Sequence, residues 1–349
     1  IVNPTAGNGQ GRIDGSVANK QLAKQAEIID LSGTSRAEAE ANGTRAIKEH
    51  LIDGLVVVGG DGTVNLGVNL CAQTDVPLGI IPSGTGNDAA RSLDLVVGDA
   101  EAAACQVISS LDNPRIVDLG KAQTSNQSFW YFCTISAGFD ALVNQTANRW
   151  KWPKGPSRYK LAMLAELARF KPIHYRAVID GVAREFDAML CSVNNSKAFG
   201  GGMLVTPDAK VDDGWLDVFI VHKISRLELI KVFPKVYTGE HVSHPAVEII
   251  RAKKVSIESG NMPAFSDGEA RGYSPISAEI APQRIRQAAE QAKAAAPANT
   301  VKPSVSTKST DNETLKDSST PSLEDAVKRL ADFVSPTQSQ ISFSIDALG

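Results

Sequence analysis

Three glycine-rich turns, NPTAGNGQGR (Asn3 to Arg12), GGDGT (Gly59 to Thr63) and PSGTGND (Pro82 to Asp88), each follow a short apolar run of strand length. Glycine there lets backbone N–H groups approach an anion closely, and a helix starting behind each turn points its positive end at the same place. Three such turns at one sheet edge select a polyphosphate as guest. The Walker pattern G-x-x-x-x-G-K-[ST] is absent, which disfavours an ordinary P-loop ATPase or GTPase. Gly84, Gly86 and Ala89 match G-x-G-x-x-A, a pattern that alone would allow a dinucleotide-binding oxidoreductase, but Asn87 and Asp88 put a carboxylate beside the pyrophosphate. Asp61 carries the sharper signal. A carboxylate facing phosphates is repulsive unless a metal or a hydroxyl lies between them, so it implies magnesium or a ribose; as a plain cap for Thr63 and Val64 it would need neither. Arg12 and Arg91 are placed to neutralise phosphate charge, or are ordinary surface arginines.

Chemistry on a bound polyphosphate would need a positioned base, a metal and neutralised oxygens. Asp267 or Glu269, in Asp267-Gly268-Glu269, could supply the base, and Asp61 the metal site. That tripeptide and Asp212-Asp213-Gly214 also read as plain turns, because Asp-Gly is a favoured turn pair. His241 and His244 have H-x-x-H spacing without a cysteine or an acidic helix signature nearby, and are expected at the surface.

The elements that must hold these groups change character along the chain. Up to about residue 118 the apolar runs Ile28 to Leu31, Leu55 to Val58 and Leu78 to Ile81 read as strands separated by helical lengths, the grammar of a parallel sheet covered on both faces. From about Phe129, strands divided by turns follow at Trp130 to Ser136, Tyr175 to Asp180, Ala188 to Asn194, Leu216 to Val221 and Lys254 to Glu258, which predicts a mainly antiparallel second domain. A helix is expected at Ser157 to Phe170 and another from Pro282 to Ala296. Pro297 to Pro321 has linker composition, and Ser322 would cap a terminal amphipathic helix. These breaks give domains at 1–118, 119–282 and 283–349.

With 349 residues, 42% hydrophobic and 21% charged, the chain is neither disordered, collagen-like nor a membrane bundle, and two domains with a tail are expected. A net charge of −3 argues against a protein built mainly to hold nucleic acid. The four cysteines lie far apart with no C-x-x-C pair, so free intracellular thiols are expected. No apolar run approaches the roughly 18 residues that cross a bilayer. Because the chain opens at Ile1, without Met and inside an expected strand, a few preceding residues or a leader are expected, and localisation is inferred rather than read. Between Arg149 and Arg176 lie eight Lys/Arg against the single acid Glu166, with Trp150 and Trp152 at the start. Tyr159, Met163, Leu164, Leu167 and Phe170 fall on one face, the pattern of a segment resting on an anionic bilayer or of a helix packed on its own domain.

GGDGTVN and PSGTGND, preceded by NPTAGNGQGR, resemble the diacylglycerol kinase catalytic family, which includes bacterial lipid kinases and the sphingosine and ceramide kinases. The likeness continues through ISAGFDALVN (Ile135 to Asn144), the stretch Asn194 to Val218 and FSDGEARG (Phe265 to Gly272), and is closest to the bacterial soluble diacylglycerol kinases. The resemblance implies an amino-terminal three-layer α/β/α domain, a carboxyl-terminal β-sandwich and an ATP site in the cleft between them. Carried onto this chain, Asn3, Arg12, Gly59, Gly60, Asp61, Gly62, Thr63, Gly84, Thr85, Gly86 and Asn87 would hold ATP, with Asp61 organising Mg2+ through water. Glu269 would be the general base with Asp267 beside it. A second, structural Mg2+ would sit on the Asp213 side chain and the carbonyls of Lys210 and Trp215. The family's last strand normally returns to the first domain through an apolar segment, whereas here the expected helix from Pro282 takes its place.

The expected function is therefore ATP- and magnesium-dependent phosphorylation of diacylglycerol to phosphatidic acid, by a cytoplasmic body that visits the inner face of the membrane. The expected partners are a membrane lipid and an anionic surface but not nucleic acid; a homodimer stays open. The alternatives are a kinase for a sphingoid base, ceramide or another lipid alcohol, a NAD kinase, which shares GGDGT but not the second loop, and a nucleotide-binding regulator without turnover.

Overall fold

The computed structural model describes residues 1–150, 161–162, 165–166 and 171–288, which fall in one compact unit, Ile1–Glu290. The expected helix at Ser157 to Phe170 falls mostly outside the described residues, and the linker and terminal helix wholly so.

The amino-terminal half runs α1 (Gln10–Leu22), α2 (Arg36–Lys48), β1 (Leu55–Gly59), α3 (Asp61–Cys71), β2 (Leu78–Pro82), α4 (Asp88–Ser92) and α5 (Ala100–Ser110). β1 and β2 pair in parallel, from Leu55 against Leu78 to Gly59 against Pro82, and Val2 adds a parallel bridge to Val58. Buried Ala18 and Leu22 of α1 and Ala103, Ala104 and Val107 of α5 pack on Val58 and Ile81. On the other face Gly67 brings α3 against Val57 and Leu78, and Gly43 of α2 touches Leu70 of α3. Three layers result, with every strand end delivered to one edge.

The strand expected at Ile28 to Leu31 does not form. Ile28 and Ile29 are 40% and 47% exposed. Local side-chain bonds compete with a ladder: Ser32 N–H donates to Asp30 Oδ1 at 2.8 Å, and Ser32 Oγ accepts from Val2 N–H at 2.8 Å.

The second half comprises β3 (Arg115–Gln123), β4 (Ser128–Tyr131), β5 (Thr134–Ser136), α6 (Phe139–Arg149), β6 (Ile173–Ile179), β7 (Val182–Asn194), β8 (Leu216–His222), α7 (Arg226–Val232), β9 (Val247–Ala252), β10 (Lys254–Glu258), β11 (Pro263–Ser266), β12 (Glu269–Tyr273) and β13 (Ile276–Gln287). Apart from a single parallel contact to β2, these strands pair antiparallel and share one apolar interior that includes Tyr131, Ile135, Tyr175, Val193, Ile220 and Ile257. The run expected at Trp130 to Ser136 is broken at Phe132 and Cys133, whose N–H groups leave the ladder for Asp267.

Pro282 to Gln287 is strand, not helix. Gln283 takes φ 56° in a bulge, and its N–H donates to Asp118 Oδ1 at 2.7 Å. Beyond it Ile285 and Gln287 are buried while Arg284 and Arg286 are exposed, the two-residue period of a strand. Gln287 then pairs in parallel with Leu78 of β2, and Ala288 N–H donates to Leu78 O at 3.0 Å. The last strand thus returns to the first half and joins both halves into one sheet.

Candidate active site

The three glycine turns meet backbone to backbone. A Cβ on Gly84 would lie 2.4 Å from Gly60 Cα, and one on Gly7, at φ 56°, would lie 2.5 Å from Ser83 O. Side chains in the turns tie them together. Asn3 Oδ1 accepts from Thr5 N–H at 3.1 Å and its amide reaches Thr63 Oγ1 at 3.4 Å. Asn87, at φ 54°, closes the third turn by accepting from Gly84 N–H and donating to Gly84 O, both at 2.9 Å. Gly59, Gly60 and Gly62 flank the start of α3, where orphan N–H groups and the helix dipole favour an anion. Thr85 and Arg12 are exposed, Arg12 on the first turn of α1.

Asp61 does not cap its own helix, since Thr63 and Val64 donate to Gly60 O. Its Oδ1 accepts instead from Asp88 N–H at 2.7 Å and Ala89 N–H at 3.4 Å, capping α4. A Cβ on Gly86 would come within 2.7 Å of its Oδ2, so that oxygen faces the third turn. Burial pushes the Asp61 carboxyl up from its ordinary value, and the charges of Asp88 and Asp267 push the same way. Among the described residues no group of three or more His, Cys, Asp or Glu could hold a metal ion, so a Mg2+ here would rest on the Asp61 carboxylate together with substrate phosphates. Asp88 accepts from Gly201 N–H and Gly202 N–H, at 2.9 Å and 2.7 Å, and so latches the third turn to the second half. Arg91 braces the same turn, Nε donating to Gly86 O at 3.1 Å.

The two carboxylates of the Asp-Gly-Glu turn differ in kind. Asp267 sits at φ 47°; its Oδ1 accepts from Cys133 N–H (2.9 Å) and Thr134 N–H (3.0 Å), and its Oδ2 from Phe132 N–H (2.9 Å) and Asn65 Nδ2 (3.3 Å). Burial raises its pKa, partly offset by those amides. Glu269 is 39% exposed and stands over α3: a Cβ on Gly62 would lie 2.8 Å from its Oε1. Arg36 on α2 approaches the same Oε1 at 3.6 Å. The motifs name Asn65 (the last residue of GGDGTVN), Asp88 (the last of PSGTGND) and Arg271 (within FSDGEARG) without giving them a role, and Arg36 lies outside every motif.

Around the Asp212-Asp213-Gly214 turn, Asp213 Oδ2 pairs with Arg251, and its Oδ1 accepts from Trp215 N–H at 3.1 Å. Asp212 pairs with Arg115 at 2.8 Å, and Lys210 is exposed. Arg251 and Lys253 lie 5.2 Å and 4.8 Å from the Trp215 ring centre.

Between α6, the β7–β8 face and the α7 region lies an apolar cavity of about 80 Å³, lined among others by Phe139, Val143, Met189, Phe219 and Val236. Two buried polar atoms in its lining have no partner, Asp140 Oδ1 and His241 Nδ1. Asp140 Oδ2 accepts from Ser136 Oγ, and burial pushes its pKa up to about 6. His241 is 2% exposed, not a surface residue: its ring meets Phe219 edge-on and its Nε2 pairs with Val205 O at 2.9 Å. His244 is half-buried beside Glu228.

Residues 1–122 match the model of the diacylglycerol kinase catalytic domain, and residues 133–289 that of the YegS C-terminal NAD kinase beta sandwich-like domain. A diacylglycerol kinase of Mycobacterium tuberculosis (strain CDC 1551 / Oshkosh) is 37% identical over 284 residues, 80% of this chain and 90% of that protein. One of Bacillus subtilis (strain 168) is 30% identical over 287 residues, 79% of this chain and 90% of that protein. In fold, the chain is similar to a solved diacylglycerol kinase structure from Bacillus anthracis str. Sterne, with TM-score 0.63 and 22% identity over 84% of this chain and 96% of that one.

Proposed function

We propose that this chain, which belongs to the diacylglycerol kinase family and is a lipid kinase, transfers the γ-phosphoryl group of ATP to the hydroxyl of diacylglycerol, giving phosphatidic acid. The observation that carries the reading is the approach of Glu269 to Gly62, which puts a carboxylate with an open face beside the anion-binding start of α3. With ATP phosphates against the turns at Gly60 and Gly84, Glu269 takes the proton of the acceptor hydroxyl as its oxygen attacks the γ-phosphorus in line, the bond from that phosphorus to the β–γ bridging oxygen breaks and ADP leaves, and the loop N–H groups and α3 dipole take up charge on the equatorial oxygens. Asp61 would hold Mg2+, which would supply neutralisation of the phosphate charge. Asp267 cannot share the base's role, because both its oxygens are engaged by four donors.

The apolar cavity supports a lipid acceptor. α6, which supplies Phe139, Asp140 and Val143, packs on β11, the strand that leads into Asp267 and Glu269. Among the described residues no helix is long and apolar enough to cross a membrane. Access to a bilayer substrate then rests on peripheral contact of the basic segment, from Arg149 to Arg176, with an anionic cytoplasmic surface. A second Mg2+ at Asp213 would have to compete with Arg251. It is supported if Mg2+ raises the melting temperature of the wild type and not of Asp213→Ala, while equal melting in Mg2+ and chelator leaves the ion pair alone. The function itself is tested with labelled ATP and a mixed lipid extract: label in phosphatidic acid, lost in Asp61→Asn, is expected. Label in a phosphorylated sphingoid base or ceramide instead would overturn the acceptor, and full turnover by Asp61→Asn would overturn the ATP site.

A further inference from the structure

Glu269 reaches the site from β12 as a half-exposed side chain, and a base loses effectiveness when it wanders: a displacement of about 1 Å can cost on the order of 10²-fold in rate. We propose that Arg36 is a positioning residue for Glu269, held in place by Asn65; this rests on Glu269 being the base.

The guanidinium of Arg36 is anchored independently of Glu269. Its Nη1 donates to Gly62 O at 2.7 Å and its Nη2 to Asn65 Oδ1 at 3.1 Å, so two points on the first turns of α3 fix the plane of the fork. Glu269 Oε1 then lies 3.6 Å from that Nη1, beyond hydrogen-bond range but within ion-pair contact, on the side where it meets Gly62. Asn65, 1% exposed, holds both flanks of the base. Its Nδ2 donates to Asp267, two residues before Glu269, and its Oδ1 accepts from Arg271 Nη2 at 2.8 Å, two residues after. Arg271 is itself pinned over the Phe129 ring, 4.3 Å from its centre. The network crosses the molecule: Arg36 and Asn65 belong to the nucleotide half, and Asp267, Glu269 and Arg271 to the strand half. Arg36 thereby sets the base against the phosphate-binding turn of the opposite half.

The test is a double-mutant cycle on the full chain with Arg36→Ala, Arg36→Lys and Glu269→Gln. Because the Arg36 side chain is 43% exposed, Arg36→Ala folds and melts within a few degrees of wild type. Its kcat falls by about 10²-fold while KM for ATP stays within about two-fold. Arg36→Lys keeps the charge but loses the two-point fork, and stays closer to Arg36→Ala than to wild type. In the Glu269→Gln background Arg36→Ala causes no further loss, since there is no base left to place. The inference is overturned if the two losses multiply, if KM for ATP rises with kcat intact, or if Arg36→Lys behaves as wild type. If Glu269→Gln keeps full turnover, the assignment of the base fails first; if Glu269→Gln is inactive and Arg36→Ala is normal, only the positioning role fails.

Discussion

Exchanging each carboxylate of the Asp-Gly-Glu turn for its amide should produce opposite phenotypes. In Asp267→Asn one of two oxygens becomes an NH2 group, which meets either the N–H groups of Cys133 and Thr134 or those of Phe132 and Asn65. Two hydrogen bonds to a charged acceptor are lost, at roughly 1.5–3 kcal/mol each, so the variant should be less stable by about 3–6 kcal/mol. At about 2–4 °C per kcal/mol for a chain of this class, its melting temperature falls by roughly 6–24 °C. Glu269→Gln removes only a half-exposed contact to Arg36 at 3.6 Å, so it should melt within about 1 kcal/mol of wild type. Its kcat should nevertheless fall by about 10²–10⁴-fold with little change in KM for ATP, because a base acts in the transition state. Thermal melts by circular dichroism and steady-state phosphorylation of dispersed lipid read both quantities. A stable, inactive Asp267→Asn beside an active Glu269→Gln would refute the division of roles.

Three further outcomes follow from the same geometry. Burial raises Asp140 from 3.8 to about 6, so the folded chain binds a proton there that the unfolded chain releases; stability contributed by this group is lost as pH rises between those values and stays lost above. At about 1.36 kcal/mol per unit this amounts to on the order of 3 kcal/mol over the whole window and about 2 kcal/mol above pH 4.5, so urea unfolding of Asp140→Asn should lose about 2 kcal/mol less than wild type between pH 4.5 and 8; equal losses would contradict it. Gly84→Ala puts a methyl 2.4 Å from Gly60 Cα, so it should destabilise by about 1–3 kcal/mol and weaken ATP binding in calorimetry, whereas unchanged binding would separate the turns from the nucleotide. Reversing Lys151, Lys154 and Arg158 to Glu should reduce sedimentation with anionic vesicles, at about 1 kcal/mol per basic residue, more than deleting residues 297–349; the opposite ranking would move the docking surface to the tail.

What could be read from the chain and what could not divides along one physical line. The turns after β1 and β2, and the strands at Leu216 to Val221 and Lys254 to Glu258, announce themselves because buried apolar residues recur at short range between glycines. β13 does not: its end runs through Pro282, Gln283, Arg284 and Arg286, whose composition suits a helix or linker, and its strand character comes from distant partners, Arg115 to Val117 of β3 in antiparallel register and Leu78 of β2 in parallel, on the far side of a bulge that Asp118 holds at Gln283. The same holds for His241, which spacing alone puts at the surface and the ring of Phe219 buries.

In the Asp-Gly-Glu turn that limit has a functional consequence. The residue types alone present Asp267 and Glu269 as two equivalent carboxylates around a glycine, and only the family resemblance favours Glu269. Their surroundings differ because the chain at Phe132 to Thr134 gives its N–H groups to Asp267, which both interrupts the run from β4 to β5 and fixes the turn. A carboxylate held in that way has no face left for a further donor, whereas Glu269, two positions on, keeps one open beside Gly62, the face that the proposed base would use. The break in the strand and the contrast between the two carboxylates are therefore two results of the same set of hydrogen bonds.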